Sequence, residues 1–424
     1  MKKNILVFPC GSEIGLDIYS SVKYSTHFHL IGGSSIEDHG AFVYDEYIQS
    51  IPFVTDTDFI PAIRKIVVEK RIDAIYPAMD YVISELKSHE NEIGCSIISS
   101  PEETTKVCLS KAKTYARLKD VVRVPKLFKP DEVNSFPVFV KPDIGYGSKG
   151  TALVSTESQL QSLLSSRSDL LILEYLPGEE FTVDCFTDRK GRLLYSAARG
   201  RYRIKDGISV NTSFVNEQDE FRKFATSINS ALAFRGAWFF QVKKDGKGEL
   251  CLLEVASRLG GSSLLSRAKG VNLALLSLFD AFDMDVSLQV NEGYQVTLDR
   301  ALENKYRCKG LDFNTVYVDF DDCLILNKKT VNVELISFLF KCRNENKRLI
   351  LLSKHHGDLM QELQHFKVDT LFDEIIHIQD HEEKADHIQE MNSLFIDDSF
   401  SEREKVLVQH GIPVFGPEMI DVFL

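Results

Sequence analysis

Residues 137–154 read PVFVKPDIGYGSKGTALV, in which an extended run ends at Lys141, a glycine-rich loop follows and a second extended run begins. The loop contains Gly145, Gly147, Ser148, Lys149 and Gly150. Glycine lets backbone N–H groups approach phosphate oxygens, and lysine adds positive charge. The order G-x-x-x-x-G-K-[ST] of a P-loop is absent, and a strand follows the loop instead of a helix. Two interpretations stay open: a phosphate-binding loop, or a hairpin turn with solvated lysines.

Upstream of this stretch, residues 1–105 alternate between short apolar runs and helical patterns, which predicts a small α/β domain with a parallel sheet. The first turn, from Gly11 to Gly15, lacks the full G-x-G-x-x-G dinucleotide fingerprint, so a structural turn is favoured over a nicotinamide site. Ser100 before Pro101 predicts a helix start with Ser100 as the capping residue.

Downstream, residues 106–308 change to short strands joined by turns, with helices expected at 156–166, 217–233 and 271–282. This is an α+β pattern. A second βα alternation then begins with VYVDFDD (316–322) and defines a third domain, 309–424. The whole chain is therefore predicted to combine α/β and α+β domains.

An acid and an amide are expected to converge in the hairpin GAWFFQVKKDGKGELCLLEVASRLGGSS (236–263). A four-residue loop from Asp245 to Gly248 would place Lys244 opposite Glu249. Gln241 and Glu254 would then lie diagonally on one face. Hard oxygen ligands in an apolar hairpin suit Mg²⁺ with phosphate.

In their order and spacing these elements resemble the ATP-grasp superfamily, in particular its carboxylate-amine ligases and the large chain of carbamoyl phosphate synthetase. The resemblance covers about residues 1–300, with the first domain as a pre-ATP-grasp domain. It implies ATP as cofactor, bound through Lys111, Lys141, Gly147, Ser148, Lys149, Gly150, Glu174, Tyr175, Leu176 and Glu180. It also implies Mg²⁺ ligands at Gln241 and Glu254, and a catalytic arginine, Arg258, near the transferred phosphate.

One departure concerns the Glu-x-Asn metal motif of the superfamily, which here reads Glu254-Val255-Ala256. The missing Asn puts a second Mg²⁺ in doubt, although the adjacent Ser257 could substitute. The resemblance makes Gly11, Asp80 and Tyr81 candidates for lining the acceptor-substrate pocket. The alternating arginines Arg199, Arg201 and Arg203 would share one strand face, either as an anion clamp or as a solvated basic strand.

The third domain contains TVYVDFDDCLIL (315–326), in which Asp319 and Asp321 lie at i and i+2. This spacing can bring a carboxylate nucleophile and an acid to one strand end. Ser353, Lys384 and the pair Asp397 and Asp398 follow in later motifs. With them the domain resembles the haloacid dehalogenase (HAD) phosphatase superfamily over about 312–424.

The HAD resemblance implies Asp319 as nucleophile, Asp321 as general acid, and Ser353 and Lys384 as phosphoryl-binding residues. It also implies Mg²⁺ at Asp319 with Asp397 or Asp398. Cys323 stands where that superfamily commonly has Thr or Val. The intervals between motifs leave no room for a cap domain.

Composition limits the function classes. The net charge of −12 disfavours nucleic acid as a partner, and no apolar run is long enough for a membrane span. Eight Cys without a C-x-x-C motif predict a reducing, cytoplasmic location. We expect small-molecule partners, a carboxylate and an amine, and leave open whether the chain forms a homo-oligomer.

The leading hypothesis is an ADP-forming ligase that joins a carboxylate to an amine through an acyl phosphate, fused to a Mg²⁺-dependent phosphatase in a biosynthetic pathway. Two alternatives stay open. In one the phosphatase is the only enzyme and the ATP-grasp part senses or binds nucleotide. In the other the ligase carries a catalytically silent docking domain.

Overall fold

The computed structural model describes residues 2–145, 147, 149–205, 207–308 and 310–424. The chain divides into two compact units, residues 1–302 and 303–424. The predicted boundaries of three domains, 1–105, 106–308 and 309–424, stay predictions. Among the described residues, no helix combines the length and the apolar character that crossing a bilayer requires.

The first unit opens with a five-stranded parallel sheet in the order β3-β2-β1-β4-β5. Its strands are β1 (Lys3–Phe8), β2 (Phe28–Gly33), β3 (Tyr47–Ile48), β4 (Ala74–Pro77) and β5 (Ser96–Ile97). Its helices are α1 (Glu13–Val22), α2 (Gly40–Val43), α3 (Phe59–Glu69), α4 (Asp80–Ser88) and α5 (Glu90–Ile93). The apolar runs of β1 and β4 are buried between the helices, as a parallel sheet requires.

The turn between β1 and α1 is a structural turn. Ser12 caps α1 by accepting a hydrogen bond from the N–H of Gly15. A Cβ at Gly15 would lie 2.4 Å from the carbonyl oxygen of Cys10, so only glycine permits this close approach of helix and strand.

Two helices, α6 (Glu102–Leu109) and α7 (Lys111–Leu118), lead into the antiparallel sheet β6-β9-β7-β8. The prediction that Ser100 caps α6 is wrong. Ser100 Oγ instead exchanges hydrogen bonds with the backbone of Arg235, and Pro101 precedes the helix without a side-chain cap. This sheet contains β6 (Leu127–Phe128), β7 (Val138–Pro142), β8 (Ala152–Val154) and β9 (Leu170–Glu174), with α8 (Glu157–Ser166) before β9.

A second antiparallel sheet, in the order β11-β10-β14-β15, follows in the same unit. A three-stranded sheet, β12-β13-β16, completes the unit. The strands are β10 (Glu180–Thr187), β11 (Leu193–Gly200), β12 (Arg203–Lys205), β13 (Ile208–Ser213), β14 (Gly236–Lys244), β15 (Leu250–Ala256) and β16 (Thr297–Asp299). The helices are α9 (Asp219–Ala231), α10 (Leu264–Arg267) and α11 (Leu273–Ala281). Helices α8, α9 and α11 lie within the predicted ranges and confirm those three predictions.

The second unit has a five-stranded parallel sheet in the order β21-β20-β17-β22-β23. Its elements are β17 (Thr315–Val318), β18 (Ile325–Leu326), β19 (Thr330–Val331), α12 (Val333–Asn344), β20 (Arg348–Ser353), α13 (Leu359–His365), β21 (Glu374–His377), β22 (Ser393–Ile396), α14 (Phe400–His410) and β23 (Val414–Phe415). Because β17 is central, the loops after β17, β20 and β22 meet at the carboxyl edge of the sheet.

Candidate functional site

A cleft in the first unit is lined by residues from both four-stranded antiparallel sheets. The predicted residues in its lining are Lys111, Lys141, Gly147, Lys149, Glu174, Tyr175, Leu176, Glu180, Gln241 and Glu254. Gly150 is not among the lining residues, and Ser148 lies outside the described residues. The fold thus brings most of the predicted nucleotide residues to one place.

Lys141, near the end of β7, is the most deeply buried cation of the cleft. Its side chain is almost inaccessible, and its Nζ donates a hydrogen bond of 2.9 Å to the carbonyl oxygen of Leu253. The ring of Tyr115 lies 5.5 Å from the same ammonium group. Burial lowers the pKa of Lys141 from 10.5 to about 8, against the opposing charge of Glu254.

The predicted register of the β14–β15 hairpin is wrong. Lys244 pairs with Leu250 instead of Glu249, and the register shifts at Leu253, so that Gln241 lies directly opposite Glu254. The loop is one residue longer than expected because the carboxylate of Asp245 accepts hydrogen bonds from two backbone N–H groups within it. The convergence of Gln241 and Glu254 is nevertheless present, and it is closer than the predicted diagonal.

The bulge at Leu253 explains this shift. Its carbonyl oxygen accepts hydrogen bonds from Lys141 Nζ and, at 2.6 Å, from the hydroxyl of Tyr115. A bulge releases one backbone group from the strand ladder. Here the released carbonyl accepts hydrogen bonds from both side chains, and these bonds link β15 to β7 and to α7 across the cleft.

Glu180 pairs with Arg201, whose side chain is largely buried in the cleft wall. Arg201 Nε lies 2.9 Å from Glu180 Oε1, and Arg201 Nη2 donates to the carbonyl of Gly207. Gly207 has φ +78°, and a Cβ there would lie 2.4 Å from the backbone of Gly147. The segment that carries Arg201 therefore packs closely against the glycine-rich loop.

The three alternating arginines do not share one strand face, because β11 ends at Gly200. Arg199 is buried in an ion pair with Asp184 at 2.7 Å, and Arg203 is exposed beside Asp299. Only Arg201 reaches the cleft. Sequence reasoning also missed Lys243, which lines the cleft and follows Gln241 by two residues, a spacing that places both on one strand face.

Glu174 and Lys111 have partners within the protein. Glu174, at the end of β9, accepts a hydrogen bond from the N–H of Lys126 and pairs with Arg123. Tyr175 and Leu176 follow it in the cleft wall. Lys111, at the start of α7, donates hydrogen bonds to the carbonyl oxygens of Asp143 and Gly145, beside the glycine-rich loop.

Arg258 points to helix α4 and is not part of the described cleft lining. Its Nε and Nη2 lie 2.8 and 2.7 Å from Asp80 Oδ2, and its guanidinium lies over the ring of Phe239. Asp80 begins helix α4. The ion pair therefore connects β15 to the first parallel sheet.

Gln241 and Glu254 offer one amide oxygen and one carboxylate to a cation in the cleft, and hard oxygen ligands fit Mg²⁺. Ala256, at the position that the ATP-grasp resemblance would give to an Asn ligand, has no side-chain ligand atom, and neither it nor the buried Ser257 beside it lines the cleft. The described residues therefore fit one Mg²⁺ at Gln241 and Glu254 better than two.

A second cluster lies at the carboxyl edge of the C-terminal sheet. Lys384 Nζ lies 2.8 Å from Asp319 Oδ1 and 2.6 Å from Asp397 Oδ2. Carboxylate oxygens of Asp319, Asp397 and Asp398 lie within 4.8 Å of one another, with the first two residues buried and the third exposed. Ser353 ends β20, and its buried hydroxyl lies beside Asp319, where it acts to lower the pKa of that carboxyl group.

The protonation of this cluster is governed by burial and by mutual charge. Burial raises the pKa of Asp319 while Lys384 opposes the rise. Burial and the neighbouring Asp319 raise the pKa of Asp397 to about 7. Burial alone would lower the pKa of Lys384, but the charges of Asp319 and Asp397 outweigh burial and raise this pKa. Together with the exposed Asp398, three carboxyl groups lie in this cluster, a set of oxygen ligands suited to a divalent ion.

The last predicted residue, Asp321, follows Asp319 by two positions. Its Oδ2 lies 2.8 Å from Nδ1 of His355, a residue that sequence reasoning did not single out. His355 follows Ser353 in the loop after β20, and no pattern in the sequence indicated the contact.

Comparison with known proteins gives matches to ATP-grasp proteins. The model of the family described as "ATP-grasp in the biosynthetic pathway with Ter operon" matches residues 166–301. A curated D-alanine–D-alanine ligase of Thermotoga petrophila is 23% identical over 151 residues, which cover 33% of this chain and 49% of that protein. The chain thus spans about half the length of this relative.

Solved structures resemble the chain over larger shares. An N5-carboxyaminoimidazole synthetase from Staphylococcus aureus, complexed with ADP, has a TM-score of 0.60 and 15% identity over 71% of this chain and 83% of that chain. A biotin carboxylase from Campylobacter jejuni, in complex with β,γ-ATP, has a TM-score of 0.58 and 17% identity over 68% of this chain and 74% of that chain.

The family match ends at residue 301. The resemblance of residues 312–424 to HAD phosphatases therefore stays a prediction. The family match over residues 166–301 and the solved structures agree that the first unit contains a domain with the ATP-grasp fold.

Proposed function

We propose that the first unit is an ATP-dependent, ADP-forming ligase that joins a small-molecule carboxylate to an amine. The observation that carries the proposal is the cleft between two antiparallel sheets, in which Lys141, Gln241 and Glu254 converge. The ligase name of the curated relative and the ADP and ATP bound by the similar solved structures support it.

Each end of the cleft suits a different part of ATP. Lys111, Lys141 and the glycine-rich loop, with Gly147, Lys149 and Gly150, supply cations and backbone N–H groups for the phosphates. Tyr175 and Leu176 would border the adenine after Glu174, and Glu180 would bind the ribose hydroxyls. Glu180 pairs with Arg201 in the free protein, so ribose binding must compete with that contact.

Gln241 and Glu254 would hold Mg²⁺ against the phosphates. When bound, this ion neutralises charge on the transferring phosphoryl group.

The reaction requires two group transfers. A carboxylate oxygen of the substrate attacks the γ-phosphorus, the bond to the β,γ-bridging oxygen breaks, and ADP leaves with that electron pair. The amine then attacks the carbonyl carbon of the acyl phosphate, inorganic phosphate leaves and the amine loses a proton. Lys141 would stabilise the charge on the phosphoryl oxygens by a fixed positive charge at low exposure.

Arg258 would act at the acceptor side. Its pairing with Asp80 fixes the guanidinium at the border between the hairpin and α4, while Nη1 donates a hydrogen bond to the carbonyl of Leu259. We propose that it orients the carboxylate for attack. Asp80 would then be a positioning residue for Arg258.

The test is turnover with a panel of carboxylates and amines in the presence of ATP and Mg²⁺, with mass detection of condensed products. A product equal in mass to both substrates minus water, with stoichiometric ADP, is expected. ATP that binds without any substrate-dependent ADP release across a broad panel would favour the nucleotide-sensing alternative.

For the C-terminal unit we propose a Mg²⁺-dependent, HAD-type phosphomonoester hydrolase. The buried Asp319 beside Lys384 and Asp397 favours this function, because a carboxylate suited to be the nucleophile, a phosphoryl-binding cation and ion ligands meet at the carboxyl edge of the sheet. Asp319, Asp397 and Asp398 would hold Mg²⁺, which when bound offsets the charge of the phosphate. The buried hydroxyl of Ser353, beside Asp319, would bind a phosphoryl oxygen.

Phosphate release from small phosphomonoesters, with and without Mg²⁺, tests this second function. Hydrolysis that requires Mg²⁺ and is lost in Asp319→Asn is expected. Absence of hydrolysis in the wild-type protein across aryl and alkyl phosphates would favour the docking-domain alternative.

A further inference from the structure

His355, which contacts Asp321, is not among the residues that the HAD resemblance assigned. His355 Nδ1 lies 2.8 Å from Asp321 Oδ2. The imidazole is nearly buried, whereas the Asp321 carboxyl group is about one-third exposed. One oxygen of Asp321 is therefore held by a fixed partner, and the carboxyl group still faces the open carboxyl edge of the sheet.

Two contacts hold the His355 ring, and a third holds its backbone. Besides Asp321, the ring meets Phe320 edge to face at a centroid distance of 5.0 Å. The backbone carbonyl of His355 accepts a hydrogen bond of 2.7 Å from Nε2–H of His377, at the end of β21. The imidazole is thus held by residues that follow β17, and the backbone that carries it is held by the end of β21.

His356, the next residue in the loop, lacks these contacts and differs from His355 in its environment. His356 is 82% exposed in its side chain and lies 3.7 Å from Asp380, also at the surface. Two adjacent histidines therefore differ in burial and in partner. Only the first is directed at a residue of the proposed phosphoryl site.

This geometry matters for the proton that Asp321 must deliver. In the proposed hydrolysis, an Asp319 oxygen attacks phosphorus and the bond from phosphorus to the ester oxygen breaks. The proton of the Asp321 carboxyl group passes to the departing oxygen. Water then attacks the aspartyl phosphate, Asp321 accepts a proton from it, and phosphate leaves as Asp319 is restored. The proton is useful only on the Asp321 oxygen that faces the leaving group.

We infer that His355 is a positioning residue for general acid catalysis: by donating Nδ1–H to Oδ2 of Asp321, it directs the acidic proton to Oδ1, toward the leaving group. The inference rests on the proposed phosphatase function of this unit. A hydrogen bond donated to one oxygen leaves the other as the site of protonation and restricts rotation of the carboxyl group.

The leaving group provides a readout that a merely structural role would not alter. An alkoxide needs a proton in order to depart, whereas an activated phenolate, such as dinitrophenolate, departs without one. Loss of proton positioning should therefore slow the hydrolysis of alkyl phosphates more than that of dinitrophenyl phosphate. General acid catalysis typically accelerates a reaction about 100-fold to 10,000-fold. A misplaced acid should therefore lower the rate of hydrolysis of alkyl phosphates by about tenfold or more.

The experiment compares kcat/KM for 2,4-dinitrophenyl phosphate, phenyl phosphate and an alkyl phosphate in the full-length protein with Mg²⁺. The variants are His355→Ala, His355→Asn and the matched control His356→Ala. Asn retains an N–H donor at a position similar to Nδ1, so it should recover part of the loss. Circular dichroism and thermal unfolding establish that each variant is folded.

For His355→Ala we expect kcat/KM to fall by about tenfold or more with the alkyl ester and by less than about threefold with the dinitrophenyl ester. His356→Ala should leave kcat/KM unchanged with both esters. Equal losses on all esters in a folded His355 variant, or equal selectivity in His356→Ala, would overturn the positioning role while leaving the phosphatase proposal intact. A wild-type protein that hydrolyses none of the three esters would overturn the phosphatase proposal, and the inference with it.

Discussion

Replacement of Lys141 by Met should stabilise the free protein and weaken ATP binding. Folding lowers the pKa of Lys141 from 10.5 to about 8. The charged lysine therefore costs the folded state roughly 3 kcal/mol at pH 7, since a shift of one pKa unit corresponds to about 1.4 kcal/mol. Methionine is similar in length and carries no charge. Tyr115 still donates to the Leu253 carbonyl, so that oxygen keeps a partner. We expect a gain of roughly 1 to 3 kcal/mol in unfolding free energy.

The gain should depend on pH. The unfolded lysine titrates near 10.5 and the folded one near 8. The cost is therefore fully present below pH 8 and disappears as the pH rises toward 10.5. ATP affinity should fall by about 10-fold to 150-fold, because a charge-assisted contact contributes about 1.5 to 3 kcal/mol.

The assays are denaturant unfolding of both proteins at pH 7 and pH 10, and calorimetric titration with Mg-ATP at pH 7. Lys113→Met, at an exposed position on α7, is the matched control and should change neither quantity. A Lys141→Met variant that is less stable than wild type at pH 7, or that binds ATP with unaltered affinity, would refute the reasoning.

Three further predictions concern the two sites. Glu254→Gln should abolish substrate-dependent ADP release without loss of fold, because the carboxylate charge opposite Gln241 is removed; unchanged turnover would contradict the metal assignment. Asp80→Asn should lower kcat/KM for the acceptor carboxylate by about tenfold through a weaker pairing with Arg258, and should leave ATP affinity unchanged in calorimetry; a fall in ATP affinity instead would count against an acceptor-side role. Asp319→Asn should eliminate phosphate release from monoesters while amide formation survives, and loss of both activities in a folded protein would show that the sites are coupled.

Much of the fold could be predicted from local pattern. The apolar run at 5–8, the helix at 59–69 and the three helices after residue 155 show periodicity that tertiary packing does not override. The convergence of Gln241 and Glu254 was predicted from strand alternation, but in the observed register it depends on the bulge at Leu253. These features depend on residues near one another in sequence.

The remaining features depend on distant partners. The bulge at Leu253 exists where Lys141 and Tyr115 both donate to its carbonyl, residues more than one hundred positions upstream. Ser100 is taken from its expected capping role by the backbone of Arg235. No periodicity or turn signal in a single sequence reports such pairings.

The arginines illustrate the same limit. Arg199 and Arg203 have the same chemistry and nearby positions, yet one is buried against Asp184 and the other is exposed beside Asp299. The end of β11 at Gly200 separates their environments. Alternation predicts a common face only as long as the strand continues.

The most direct test of the central claim follows oxygen through the reaction. The wild-type protein is incubated with Mg-ATP, an amine panel and carboxylates labelled with ¹⁸O at both oxygens, and the released nucleotide and phosphate are identified by mass spectrometry. An acyl phosphate mechanism predicts ADP, the amide and inorganic phosphate that carries one ¹⁸O atom from the carboxylate. Amide formation with AMP and pyrophosphate, or with ADP and unlabelled phosphate, would contradict it.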